Sequence, residues 1–163
     1  MRELPDHPRP LVAAITTLTA MALFMANPGA RAADLEWQGG TTVTRGLTPS
    51  LAMTVILPNV IARTSDFQAG LVLIGASRWQ GRTAPNEMLV QCQVVHHFGP
   101  VDFGIGLALA QNADSYNPGT LNFSLMLEHG LGNRLSIAFR HFSNAGTHGS
   151  NIGRNLLLAG WRF

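Results

Sequence analysis

The sequence predicts an all-β protein whose eight antiparallel strands follow one another in up-and-down order and close into a transmembrane β-barrel. Three observations lead to this fold class. Only 12% of the 163 residues are charged while 46% are hydrophobic, which is little charge for a soluble domain. After residue 32, no segment is apolar for long enough to form a membrane helix. Apolar residues instead alternate with small or polar ones, as in strands that face lipid on one side only.

Residues 1–32 precede this pattern and predict a secretory signal peptide. Arg2 and Arg9 come before an apolar run over residues 11–26, and the sequence NPGARA ends it. A basic start, a short apolar core, a breaker and small residues in this order are typical of signal peptides. An uncleaved anchor is the alternative, but the run is shorter than the roughly 20 apolar residues that span a bilayer. We expect cleavage after Ala32 or one residue later, which leaves the barrel at residues 33–163.

Eight segments carry the alternation, and each is close to the roughly ten residues that a tilted membrane strand needs. In chain order they are residues 35–45, 50–57, 67–79, 87–98, 101–110, 120–129, 134–143 and 153–163. The first two are the least regular, because Gly39 and Gly40 interrupt the first and Pro49 stands just before the second. In the fourth, Cys92 has the parity of two valines, so we expect it to face lipid rather than to act as a nucleophile.

The fifth and sixth segments show the alternation most clearly. Each has four or more large apolar residues on one face and small or polar residues, such as Asp102 and Asn122, on the other. This arrangement fits a narrow barrel with lipid outside and small or polar side chains inside. A soluble lipocalin-like barrel produces the same alternation and is an alternative. The low charge and the C-terminal sequence WRF, whose aromatic end resembles that of outer-membrane barrels, favour the membrane barrel.

The connections between segments indicate an orientation. If the amino end starts in the periplasm, the connections after even-numbered strands are periplasmic and should be short. The connections GP and GLGN, after the fourth and sixth segments, are short, whereas GRTAPN, QNADSYNPG and NAGTHGSN on the other side are longer. The connection PNVIARTSD after the second segment does not follow this rule.

The seventh segment contains the residues that indicate chemistry. Its lipid-facing parity, which begins with three large apolar residues, continues with His141 and Ser143 near the external end. Polar groups on an apolar face cost free energy unless something uses them. At this spacing the two Cα atoms are about 7 Å apart, so the imidazole can approach the hydroxyl. If the hairpin is symmetric about its loop, His141 also faces Asn155. A nucleophile, a base and a group that orients the base would then line the outer wall.

The sequence HFSNAG at residues 141–146, with Asn151 and Gly153 after it, resembles the active-site hairpin of the outer-membrane lipid A 3-O-deacylases. The resemblance is specific over this hairpin and elsewhere rests on the strand count, the signal peptide and the terminal aromatic residue. It implies an eight-stranded barrel that hydrolyses the ester-linked acyl chain at the 3-position of lipid A. It also implies a serine nucleophile, a histidine base and a glutamate, without a metal or another cofactor.

On the matching positions, the resemblance implies that Ser143 attacks the acyl carbonyl and that His141 takes and returns its proton. It further implies that the side chain of Asn144 and the backbone N–H of Gly146 hold the oxyanion. Asn151 is expected to support the same hairpin.

The chain departs from the family pattern at Asn155, which stands where the family has its glutamate. An amide oxygen can orient the imidazole but offers no charge to the imidazolium. The nearest acidic residue in sequence is Glu128, whose parity points into the barrel.

These observations favour a lipid A 3-O-deacylase in the outer membrane of a Gram-negative bacterium, with lipid A or lipopolysaccharide and the surrounding outer-membrane lipid as its partners. A homodimer is a further expectation. The main alternative is a non-catalytic barrel, a scaffold or adhesion protein that kept the hairpin and lost the acid, and the lipocalin-like carrier is a third.

The remaining polar residues suggest no other chemistry. The formal net charge of +2 predicts no nucleic-acid partner. His96 and His97 are adjacent on a strand and point to opposite faces, so they are not expected to bind a metal together. Arg82 and Arg154, near the external end, are expected to contact lipid phosphates.

Overall fold

The structure is a computed structural model, and it describes residues 33–163 except residues 45, 80, 114–118 and 148–151. For residues 60, 61, 79 and 82 it describes the backbone but not the side chains. The predicted signal peptide and Asn151 therefore lie outside the described residues. The described residues form ten strands: β1 (Asp34–Thr42), β2 (Thr48–Ala62), β3 (Ser65–Ile74), β4 (Ser77–Trp79), β5 (Arg82–Ala84), β6 (Glu87–Phe98), β7 (Val101–Ala110), β8 (Leu121–Gly130), β9 (Leu135–Ser143) and β10 (Arg154–Arg162). In the described part of the chain, no helix has the length and apolar character to cross a membrane.

Eight of these strands form one closed antiparallel barrel, in the spatial order β1, β10, β9, β8, β7, β6, β3, β2. Each strand pairs with its neighbour along the chain, and β10 pairs with β1 to close the ring. The predicted fold class, an eight-stranded up-and-down transmembrane barrel, is confirmed. Closure leaves no edge strand, so every barrel strand is paired with a neighbour on both sides.

The third predicted segment proved to be two elements rather than one strand. The barrel strand β3 ends at Ile74, and β4 pairs instead with β5 in a separate two-stranded hairpin. The break follows Gly75, where the side chain of Asn86 accepts a hydrogen bond from the backbone N–H of Ala76 (2.7 Å). The connection between β3 and β6 therefore has its own structure.

The connection after β2, which did not fit the expected turn lengths, is mostly strand. β2 continues to Ala62, which pairs with Ser65, so the turn itself contains only residues 63 and 64. A bulge between Leu57 and Ala62 shifts the register, and the Asp66 carboxylate accepts the backbone N–H of Asn59, which has a φ of 57°. The turns β2–β3, β6–β7 and β8–β9 are therefore all short, and we call the opposite end the external end.

The outer face of the barrel is apolar and the inner face is largely polar. The outward residues of β7 are between 42% and 55% exposed from Phe103 to Leu109, and Cys92 on β6 is also exposed as predicted. Polar side chains buried inside the barrel include Glu36, Gln38, Gln68, Gln91, Gln93, Asn122, Ser124, Glu128, Ser136, Arg140 and Arg154. A soluble carrier would bury its large apolar residues, so this arrangement disfavours the lipocalin-like alternative.

The lumen has layers of different polarity. A cluster of buried apolar residues lies in its external half, together with the buried side chains of Arg154 and Glu87. The members of the cluster are Ala52, Val72, Ile74, Leu89, Ala108, Ala110, Phe142, Leu156 and Leu158. Below it, Gln38 donates to Glu128 (2.9 Å) and accepts from Arg140 (2.9 Å). The inward orientation predicted for Glu128 is thereby confirmed, and its other oxygen lies 3.3 Å from Arg162.

Candidate active site

The hairpin of β9 and β10 brings His141 opposite Asn155, as predicted from its symmetry. The outward parity of β9 extends from Leu135 to Ser143, so His141 and Ser143 both lie on the outer wall near the external end. All three polar side chains are half-buried. The hairpin therefore holds an imidazole, a hydroxyl and an amide on one face of the barrel.

His141 and Asn155 are joined by a short hydrogen bond, with 2.5 Å between Nδ1 of the ring and Oδ1 of the amide. An amide oxygen has no proton to donate, so Nδ1 must carry the hydrogen. The other nitrogen, Nε2, is then unprotonated in the neutral ring and can accept a proton. This is the tautomer that a histidine needs in order to act as a general base toward a serine.

Asn155 is itself held through its backbone by the connection between β1 and β2. Its N–H donates to the hydroxyl of Thr44 (3.0 Å), and its carbonyl accepts the N–H of Val43 (2.9 Å). The sequence analysis did not identify Thr44. No local signal marks it, because 111 positions separate the two hydrogen-bonded residues.

A tight turn follows Ser143. The N–H of Thr147 donates to the carbonyl of Asn144 (3.1 Å), and the two central residues, Ala145 and Gly146, have φ angles of 53° and 77°. These positive angles at both central positions are those of a type I′ turn. The N–H of Ala145 donates to the hydroxyl oxygen of Ser143 (3.1 Å), so the turn orients the nucleophile predicted from sequence.

The two predicted oxyanion donors bond within the same turn. The N–H of Gly146 donates to the side-chain oxygen of Asn144 (2.8 Å) and so is engaged. The side-chain Nδ2 of Asn144 is buried and, among the described residues, has no hydrogen-bond partner. In this state the structure does not bring the two N–H groups together on a common acceptor, and the amide of Asn144 retains donor capacity.

Large apolar side chains surround the polar residues on the outer wall. Across from His141 and Ser143 on β8 are Leu125 and Phe123, both exposed. In the next outward-facing pair of β9 and β10, further from the external end, Phe139 lies opposite Leu157. The wall beside the candidate site is therefore suited to an acyl chain.

No carboxylate in the described part of the chain contacts the His141 ring. Glu128, the acid considered from sequence, lies in the lumen with Gln38 and Arg162. The group that orients the imidazole is thus the neutral amide of Asn155.

The expectation that Arg154 contacts lipid phosphates is wrong. Arg154 is fully buried in the lumen, where its guanidinium forms an ion pair with Glu87 and one nitrogen lies 3.4 Å from Asn122 Oδ1. The reason is parity, since Arg154 precedes the outward Asn155 and must point inward. The side chain of Arg82 is outside the described residues.

The two adjacent histidines point to opposite faces, as predicted. His96 on the outer face bonds to the hydroxyl of Ser65 (2.9 Å), while His97 on the inner face contacts Asp102 (2.7 Å) and Asp66 (3.0 Å). Within the ranges that the structure describes, no group of three or more His, Cys, Asp or Glu residues is arranged to hold a metal ion.

Comparison with known proteins supports the architecture. No protein-family model and no curated protein matches the sequence. Among solved structures, the chain is similar to the crystal structure of the outer membrane enzyme PagL, with a TM-score of 0.61. The match covers 80% of this chain and 98% of that chain at 13% sequence identity. At this identity the likeness establishes a shared PagL-like barrel fold.

Proposed function

We propose that the chain is an outer-membrane lipid A 3-O-deacylase, an esterase that removes the 3-O-linked acyl chain of lipid A in the outer leaflet. The observation that carries this proposal is the hydrogen-bonded pair of His141 and Asn155 next to Ser143 on the outer wall. The fold shared with an outer membrane enzyme and the resemblance of the hairpin to lipid A deacylases both support it.

In the proposed reaction, the hydroxyl oxygen of Ser143 attacks the acyl carbonyl carbon while Nε2 of His141 takes the hydroxyl proton. The tetrahedral intermediate collapses, the bond to the sugar oxygen breaks, and His141 returns the proton to that leaving oxygen. His141 then takes a proton from a water molecule, whose oxygen attacks the acyl-serine carbonyl; the bond to the Ser143 oxygen breaks, His141 returns the proton to that oxygen, and the fatty acid is released. Asn155 holds the ring in the required tautomer throughout.

The proposed oxyanion donors are Asn144 and Gly146. The buried Nδ2 of Asn144 has hydrogen-bonding capacity to offer a developing negative charge. The N–H of Gly146 could join it by exchanging its bond to the Asn144 side-chain oxygen for a bond to the oxyanion. Asn151 stays a predicted supporting residue.

A site on the lipid-facing wall suits a substrate that is itself part of the membrane. Lipid A can approach laterally with its acyl chain along Phe139 and Leu157, while its ester reaches the polar residues at the headgroup boundary. This argument supports an outer-membrane location with lipopolysaccharide as the partner. The homodimer stays a prediction.

The amide at position 155 should make the enzyme slower than one with a carboxylate. Replacing the triad acid by its amide costs about 10⁴ in rate in a serine protease, where the amide holds the wrong tautomer. Here the amide oxygen faces Nδ1, so the orientation is kept and only the charge is missing. The loss should therefore be smaller.

Mass spectrometry of lipid A tests the proposal. Cells that express the wild-type chain should lose a single 3-hydroxyacyl group from lipid A, and cells that express Ser143→Ala should not, with a difference of about 10³-fold or more in rate. The variant should still insert, because the N–H of Ala145, which donates to the Ser143 hydroxyl, is exposed and can bond to water instead. Its migration on a gel should still differ between boiled and unboiled samples.

Unchanged lipid A at high expression of a correctly inserted wild-type chain would contradict the proposal. It would favour the second candidate, a non-catalytic barrel, for which the amide in place of an acid is the supporting observation. Wild-type activity in Ser143→Ala would instead mean that another residue is the nucleophile.

A further inference from the structure

Gly153, the residue just before β10, lies directly against the imidazole of His141. A Cβ atom added at Gly153 would lie 2.7 Å from Cε1 and 3.4 Å from Nδ1 of that ring, and 3.0 Å from the carbonyl oxygen of Phe142. The first of these distances is too short for any real Cβ contact. The His141 ring therefore occupies the space that a side chain at position 153 would need.

The contact lies at the ring atom between the two nitrogens. The Asn155 amide bonds Nδ1, and Cε1 of the ring occupies the space that a side chain at position 153 would take. A ring displaced by such a side chain would lose or distort its bond to Asn155.

We infer that Gly153 is a positioning residue for the base His141, an inference that rests on the proposed deacylase function. Its lack of a side chain lets the backbone approach the imidazole and keep Nε2 directed toward the nucleophile. Gly153 acts through His141 and has no chemical role of its own.

Gly81 makes it possible to separate the contact with the His141 ring from the backbone strain that a positive φ imposes. Gly153 has a φ of 73°, in the left-handed region, and Gly81 in the β4–β5 hairpin has a φ of 75°. Both positions therefore impose a similar strain on a residue with a side chain. Around Gly81, however, an added Cβ would meet nothing within 4 Å. Gly81 is thus a matched control for the backbone strain, and it lacks the contacts with the His141 ring and with the Phe142 carbonyl.

The experiment compares Gly153→Ala with Gly81→Ala in purified protein, assayed on lipid A in detergent micelles. We expect kcat of Gly153→Ala to fall about 10²-fold with KM nearly unchanged, since a displacement of about 1 Å can cost that much. Gly81→Ala should keep the wild-type kcat. In ¹H–¹⁵N spectra, the hydrogen-bonded Nδ1–H of His141 should give a signal that only the Gly153 variant loses.

Equal losses of kcat in the two variants, or a wild-type kcat in Gly153→Ala, would overturn the inference. If Gly153→Ala does not insert, Gly153→Asn replaces it, because asparagine tolerates a positive φ but still brings a Cβ to the ring. Inactive wild-type protein would refute the proposed function alone. The ring signal would then decide the positioning role, and its persistence in the Gly153 variant would refute that role.

Discussion

Two consecutive residues at the start of β10 occupy opposite environments. Asn155 lies half-buried on the outer wall and bonds the His141 imidazole of the adjacent strand. Arg154 is fully buried and forms an ion pair with Glu87 of β6, which is four strands away in an eight-stranded ring and thus across the lumen. The outer wall depends on the register of one hairpin, whereas the lumen depends on the closure of the whole barrel. Changes on the outer wall should therefore alter rate, and changes in the lumen should alter stability.

The largest expected effect is a loss of stability when one partner of the buried ion pair is removed. Arg154→Met leaves the carboxylate of Glu87 buried without its main partner, which should lower the free energy of unfolding by about 3–5 kcal/mol. The double variant Glu87→Met/Arg154→Met removes both charges and should recover most of this loss. Urea unfolding midpoints in detergent would measure both. A double variant as unstable as the single one would show that the buried pair itself, and not the unpaired charge, stabilises the lumen.

A smaller effect, an increase in kcat, is expected when a negative charge is added on the outer wall. Asn155→Asp is isosteric and puts a carboxylate oxygen where the amide oxygen bonds Nδ1, so it should stabilise the imidazolium and raise kcat about tenfold, or about 1.4 kcal/mol of barrier. Asn155→Glu, the residue implied by the deacylase resemblance, should also raise kcat if its longer side chain can reach the ring.

The control for this charge is Asn155→Leu, which fills a similar volume but can neither orient nor stabilise the ring, so its kcat should fall. Deacylation by the purified variants should be compared near pH 8. If the aspartate and glutamate variants fold and neither exceeds the wild-type rate, Asn155 is not the third member of the site.

The smallest effect should come from the residue behind Asn155. Thr44→Val removes the hydroxyl that accepts the Asn155 N–H. The substitution should lower kcat about fivefold, or about 1 kcal/mol of barrier, and should lower the free energy of unfolding by about 1 kcal/mol. Thr41→Val is the matched control, because the Thr41 hydroxyl, near the end of β1, donates to the carbonyls of Thr42 and Thr48 (3.1 Å each) and not to Asn155. Equal effects of the two substitutions on kcat would remove Thr44 from the site.

The same contrast explains what the sequence could predict about the fold. The limits of the fourth and fifth predicted segments match β6 and β7, because their alternation is regular and a short turn joins them. The end of β2 was missed because the bulge after Leu57 shifts the parity on which strand prediction relies. The β4–β5 hairpin was missed because three-residue strands are too short to show a period.

In the candidate site too, contacts within one hairpin could be predicted from the sequence, whereas contacts between distant parts of the chain could not. The pairing of His141 with Asn155 follows from the symmetry of one hairpin, so local sequence was sufficient. The partner of Arg154 could not be predicted because Glu87 is 67 positions away and meets it only across a closed lumen. The role of Gly153 depends on a backbone torsion angle and a contact with a ring, neither of which leaves a periodic signal.

The hydrogen bond from Asn155 to Thr44 has a consequence for biogenesis, because it crosses the seam where the last strand meets the first. Joining parts of a chain that are 111 positions apart is among the slowest and entropically costliest steps of β-sheet assembly. The bond from Asn155 to Thr44 therefore forms only when the ring has closed, whereas His141 and Asn155 already meet within their own hairpin. Under the proposed function, a partly assembled barrel would lack this backbone support, so full activity should appear only after ring closure.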